Sequence, residues 1–189
     1  MIPVGYLYKR VAARPDWLKA ETVLDIYSLS GCISENFADY INYWKHNGYW
    51  LFDTPQVIEA LAANQNIALS GTTLFYYEAY EFEFDESSSV WAAFRPEPSF
   101  VTEVQVPGDK QLEGFDVTTF NVHTSPECSP LSCNALATTI PVNPHCLFPT
   151  FAEAKESVER GLFKDTEPGP YRIFAIYTVN DSAKRGAAG

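Results

Sequence analysis

A chain of 189 residues with 46% hydrophobic and 20% charged residues has the composition of one globular domain, able to bury roughly 70% of the surface its unfolded form exposes and too apolar for a disordered segment. Twenty-four acidic against thirteen basic residues leave a net charge of −11, a field that repels phosphate backbones and disfavours nucleic-acid binding. No uncharged apolar run approaches the ~20 residues of a bilayer span and no secretory signal pattern opens the chain, so a cytoplasmic protein without membrane association is expected.

The opening "VGYLYKRV" sets Val4, Tyr6 and Tyr8 against Leu7 and Lys9, the period of a strand. Pro15 and Asp16 stand where a short helix contributing Trp17 and Leu18 would begin, and "TVLDIYSLSG" reads as a second strand. Ser34 is placed to cap a helix whose Phe37, Tyr40, Ile41 and Trp44 form one apolar stripe and which Gly48 can end. Thr54 and Pro55 open another helix, with Val57, Ile58, Leu61 and Ala62 facing inward. The "GYWLF" between these two is too apolar for a solvated loop.

After Gly71, "TTLFYYEAYEFEFDE" places Tyr80, Phe82 and Phe84 on one face and Glu81, Glu83 and Asp85 on the other, a strand with one dry and one wet side. "SVWAAF", "VTEVQV" and "FDVTTFNV" continue as strands, with "RPEPS" and "PGDKQLEG" as connecting turns. Thr150 and Glu153 match a capping box before Ala154, Val158 and Leu162. "EPGPY" is a turn, "YRIFAIYTV" a final strand, and residues 181–189 a flexible C-terminal tail. Strands grouped mid-chain with helices to either side predict a single α+β domain over residues 1–180, a mostly antiparallel sheet with helices packed on one face.

The chemistry-bearing residues concentrate in "SPECSPLSCNALA", residues 125–137. Ser129 and Pro130 repeat the logic of Thr54 and Pro55, predicting a short helix towards Thr138 with Cys128 just before its start, where helix amides and dipole favour a thiolate. Three readings are open. In the first, Cys128, Cys133 and Cys146 with His145 or His123 hold a structural zinc ion, although a four-residue gap between the first two lies at the edge of ligand spacings. In the second, Cys128 is a nucleophile with His123 or His145 as its base. A redox pairing of Cys128 with Cys133 has four intervening residues where two are usual. In the third, the cysteines pack as small apolar side chains, the ordinary fate of cysteine in a reducing compartment.

A second candidate surface is acidic: Glu78, Glu81, Glu83, Asp85 and Glu86 fall within nine positions. Such a face suits docking to a basic protein, and equally suits a solvated strand that resists edge-to-edge aggregation. A third, the aromatic "FADYINYWKHNGYW", is either core or an interface patch. No complete catalytic constellation appears. The functional expectation is therefore a non-catalytic protein-binding module without a cofactor, of the acidic inhibitor or immunity type, with a basic protein as partner and homo-oligomerisation compatible. The alternatives are a thiol enzyme centred on Cys128 and a zinc-stabilised scaffold.

Overall fold

The structure, a computed structural model, describes residues 1–30, 47–94, 103–120 and 128–180. Its organising element is a long aromatic strand, β4 (Thr73–Asp85). Along one edge β4 pairs antiparallel with β1 (Ile2–Lys9) through its first half, while β5 (Val90–Ala93) pairs with its last residues across a short turn. The final strand β7 (Tyr171–Val179) pairs with β4 and with β6 (Lys110–Thr119), so the sheet runs β1-β4-β7-β6 with β5 joined to β4. Two residues each from β2 (Ala12–Ala13) and β3 (Asp25–Ile26) form a separate small ribbon. The protein is thus an α+β domain with one dominant, antiparallel sheet.

Helix α1 (Pro55–Gln65) follows an extended Thr54 with proline in its first turn and stops at Asn66, which takes the left-handed conformation. It packs against β1 and buries Ile58 and Ala62, whereas Val57 is exposed because contact is made along a single line of the helix. The short α2 (Pro130–Cys133) lies on β6. Helix α3 (Phe151–Glu159) carries the expected capping box, with Thr150 Oγ1 accepting from the Glu153 amide and the Glu153 carboxylate accepting from the Thr150 amide. It packs Ala154 and Val158 with Val117, Tyr171 and Ile173 of the sheet.

Cross-strand register assigns the opposite face. Lys9 and Leu7 share it with Phe75, Tyr77, Ala79, Phe174, Ile176, Asp116 and Thr118, because directly paired residues point the same way. Phe75, Tyr76 and Tyr77 are all buried in succession, so the sheet is covered on both sides here. Residues 47–52 provide part of that cover. Asn47 donates to the Val4 carbonyl and accepts from the Tyr49 and Leu51 amides, and Phe52 bridges to Tyr6 through its backbone. Gly5 permits this approach, since a Cβ there would stand 2.6 Å from the Phe52 carbonyl oxygen.

Several expectations are corrected. Of "TVLDIYSLSG" only Asp25–Ile26 is strand; the Ser28 carbonyl and the Leu29 amide instead bond to side chains of β1 and β6, at Lys9 and Asp116. Residues 103–109 form no strand, and β6 begins at Lys110, inside the expected turn, because β7 is long enough to pair with it from there. Residues 16–17 make a turn where a helix was expected, and the helix from Ser129 stops at Cys133 before a 3-10 turn at Leu136–Thr138, since Ala135 adopts a left-handed conformation. The predicted helix beginning at Ser34 lies outside the described residues, as do Cys32, His46, His123 and residues 181–189.

Candidate functional site: a buried polar centre beneath residues 27–30

Lys9 ends β1 and is 3% exposed; Asp116 lies within β6 and is fully buried. Their side chains meet the same peptide group. The Lys9 ammonium donates to the Ser28 carbonyl, and the Leu29 amide donates to Asp116 Oδ2 at 2.9 Å. Asp116 also accepts from Ser129 Oγ at 2.5 Å and, more weakly, from Thr118 Oγ1 at 3.4 Å. Ser129 was expected to cap the helix that follows it; it makes no cap bond, because its hydroxyl is committed to this carboxylate. Ser132 Oγ reaches Ser28 Oγ at 3.3 Å, and Ser30 Oγ lies 3.2 Å from Cys133 Sγ. Three stretches distant in sequence, 28–30, 116–118 and 129–133, are thereby joined through polar groups inside the protein.

Burial governs the ionisation of this centre. Desolvation pushes the Asp116 carboxyl up to about 6, partly offset by the Ser129 and Leu29 hydrogen bonds and by Lys9. Desolvation likewise pulls the Lys9 ammonium down to about 8 against the opposing fields of Asp116 and Cys133. Tyr77 stands on the same face, fully buried, with a hydroxyl that has no hydrogen-bond partner among the described residues and a pKa driven upward by burial and by Asp116. Perturbed titratable groups clustered in this way mark functional sites more often than ordinary cores.

The three described cysteines differ in surroundings and form no disulfide. Cys128 is buried and donates its S–H to Asn134 Oδ1 at 3.1 Å. A four-residue helix supplies little dipole to activate it. Cys146 is fully buried, with its thiol pushed up to about 12. Cys133 alone of the three is partly exposed, and it couples electrostatically to Lys9 and Asp116. Among the described residues no group of three or more His, Cys, Asp or Glu is arranged to hold a metal ion, so Cys128, Cys133, His145 and Cys146 are not brought together as a ligand set. His145 instead faces Asp25, with Nδ1 2.7 Å from Oδ1, and stacks on Tyr27.

The acidic strand is largely engaged with the protein itself. Glu78 pairs with Lys110 at 2.5 Å and accepts from Tyr177, and Glu83 accepts from Arg172 Nε and Nη2. Asp85 accepts from Ser87 and Ser88 in the following turn, which lowers its pKa, and Glu86 accepts from Tyr171. Glu81 and Asp85 are the exposed members, and Phe82 is exposed as well.

Lys9 and Asp116, which organise the polar centre, were not singled out by sequence reasoning. A faint signal existed. Lys9 follows Leu7 on one strand face, and Asp116 sits between Phe115 and Val117 in a segment otherwise read as buried strand. No protein-family model matches the chain, and neither the curated proteins nor the solved structures compared with it give a match.

Proposed function

We propose that the protein is a thiol-dependent enzyme of the cytoplasm in which Cys133 is the nucleophile and the buried Lys9–Asp116 centre supports it. The observation that carries this reading is the Ser30 Oγ to Cys133 Sγ contact of 3.2 Å on a partly exposed cysteine that couples both to the Lys9 ammonium and to the opposing Asp116 carboxylate. A positive charge near sulfur lowers the cost of the thiolate, the form that attacks electrophiles. The Ser30 hydroxyl is placed to donate to that thiolate and fix its direction. Asp116 holds Leu29 and Ser129, and through them the two segments that carry Ser30 and Cys133. Within this reading Asp116 positions the site and Lys9 tunes it, and no cofactor is called for.

Alkylation by iodoacetamide at pH 7, read by peptide mass spectrometry, tests the assignment. The expected result is modification at Cys133, lost in Cys133→Ser, kept in Cys128→Ser, and slowed roughly tenfold or more in Lys9→Met, the factor for about one unit of thiol pKa. Label that persists undiminished in Cys133→Ser would remove the reading.

A second reading, a binding module of the acidic inhibitor or immunity type for a basic protein, is favoured by the exposure of Glu81 and Asp85 on one face of β4, where Val90, paired with Asp85, is 54% exposed. Apolar area ringed by charge suits a docking surface. Here Glu81→Lys with Glu86→Lys should weaken capture of a poly-lysine probe more than Glu153→Lys with Glu156→Lys, which changes net charge equally on α3. Equal losses would leave net charge as the whole effect and dismiss this surface.

A further inference from the structure

His145 stands between two carboxylates that belong to different parts of the fold. Its Nδ1 lies 2.7 Å from Asp25 Oδ1 and its Nε2 lies 3.6 Å from Glu113 Oε2. Glu113 is fixed to the sheet, on β6, where its Oε1 accepts from Thr178 Oγ1 at 2.5 Å. Asp25 lies at the start of the stretch that leads through Tyr27 to Ser28, Leu29 and Ser30. The Tyr27 ring lies against the His145 ring with centroids 4.1 Å apart and against Phe75 edge-on at 5.1 Å. Backbone bonds complete the junction, from the Leu24 and Asp25 amides to the Pro144 carbonyl and from the Tyr27 amide to the His145 carbonyl.

The stereochemistry of imidazole makes this junction sensitive to protons. A neutral ring has one N–H and can donate to only one of the two carboxylates, leaving a lone pair facing the other; an imidazolium donates to both and sets a positive charge between two negative ones. Among the described residues the titratable groups facing the ring are Asp25 from β3, Glu113 from β6 and Tyr27, while the uncharged Thr178 of β7 holds Glu113. Tyr27 stays a neutral phenol, since burial and the two carboxylates raise its pKa. We propose that residues 25–30 are a strap across the sheet and that protonation of His145 tightens it by clasping Asp25 to Glu113. The clasp stands independently of the chemistry assigned to Cys133. Its consequence, control of access to that thiol, rests on the reading above, because Ser30 touches Cys133 and Ser28 touches Ser132.

Hydrogen exchange of the peptide covering residues 24–30, compared at pH 5.5 and pH 8 after correction for intrinsic exchange, tests the clasp. Protection should rise on acidification by roughly threefold, the order of one partly exposed charge pair. His145→Gln and Asp25→Asn should each abolish the rise. Asp116, raised to about 6 by desolvation, favours the closed state in acid on its own account, so the three proteins are compared with Asp116→Asn in each, which removes that contribution. An otherwise wild-type protein without the rise, or a His145→Gln protein that keeps it, would overturn the clasp. Iodoacetamide labelling at pH 6 separates the two readings, with Cys133 in His145→Gln expected to react faster than in wild type. Equal rates at Cys133 would overturn control of access, and absence of label at Cys133 in both proteins would sink the thiol reading while leaving the exchange result standing.

Discussion

Lys9 and Asp116, from the two strands at the ends of the β1-β4-β7-β6 path, are joined through a single peptide group, whose carbonyl at Ser28 accepts from the lysine and whose amide at Leu29 donates to the aspartate. Each charge is nearly or wholly removed from solvent. The peptide dipole lies between them with its negative end towards the ammonium and its positive end towards the carboxylate, which compensates both without a direct ion pair. The crossing stretch is therefore held from either side by buried charged groups, the carboxylate being shared with Ser129 and Thr118.

Removing one member should cost far more than removing both. Lys9→Met and Asp116→Ala are each expected to destabilise by about 3–5 kcal/mol, since each leaves a buried charge and unpaired backbone or hydroxyl groups behind. The double variant Lys9→Met with Asp116→Ala should fall well short of the sum. Urea unfolding of the four proteins gives the coupling, and strict additivity would show that the two side chains do not share this centre.

The same groups set a pH signature opposite to the usual carboxylate pattern. Asp116 is raised from 3.8 to about 6 by burial, so between those values the folded state binds the proton that the unfolded state has released. The stability contributed by this group is greatest in acid and declines as pH rises through that window. Lys9 is lowered from 10.5 to about 8, so from pH 8 upward the unfolded state holds more protons and stability recovers towards pH 10.5. Unfolding free energies across pH 4–10 should lose the first slope in Asp116→Asn and the second in Lys9→Met.

Cys146 should be silent in the native protein. Full burial and a thiol pushed up to about 12 leave almost no thiolate at neutral pH. Alkylation at pH 7.5 is expected to spare it until urea unfolds the chain, at which point it should react like any exposed cysteine. Early native labelling would contradict its placement in the core.

Glycine is required at Gly114, within the β6 irregularity. Its φ is +152°, and a Cβ there would stand 2.8 Å from Leu147 Cβ and 2.9 Å from the Phe148 carbonyl oxygen. Gly114→Ala should lower stability by about 2–4 kcal/mol through strain and overpacking. Gly71→Ala, also at positive φ but with open space around it, should cost about 1–2 kcal/mol. Thermal melts of the two variants rank these costs, and a reversed order would remove the close packing of residues 147–148 against β6.

The sequence by itself determined the features that depend on neighbours a few positions away. The capping box at Thr150 and Glu153, the proline-led start and inward Ile58 and Ala62 of α1, and the strand at β4 with its buried Phe84 were legible, because capping and periodicity are local properties, while Phe82, expected on the dry face, is exposed. The α+β class followed from the order of those elements. Pairing partners were not legible. "VTEVQV" has the alternation of a strand yet makes none over its described residues, and β6 begins earlier than its composition suggests, because a strand forms only where another strand presents a matching edge.

The candidate site belonged wholly to the tertiary structure. Cys128 looked activated from its position before a helix, but packing buried it and bonded it to Asn134, leaving the more exposed Cys133 beside Ser30. Lys9 and Asp116, more than a hundred residues apart, read as ordinary strand residues until register put them on one face and the Ser28–Leu29 peptide came between them. Burial, and not sequence spacing, moves their ionisation towards neutrality, and burial is decided only when the chain has folded over them.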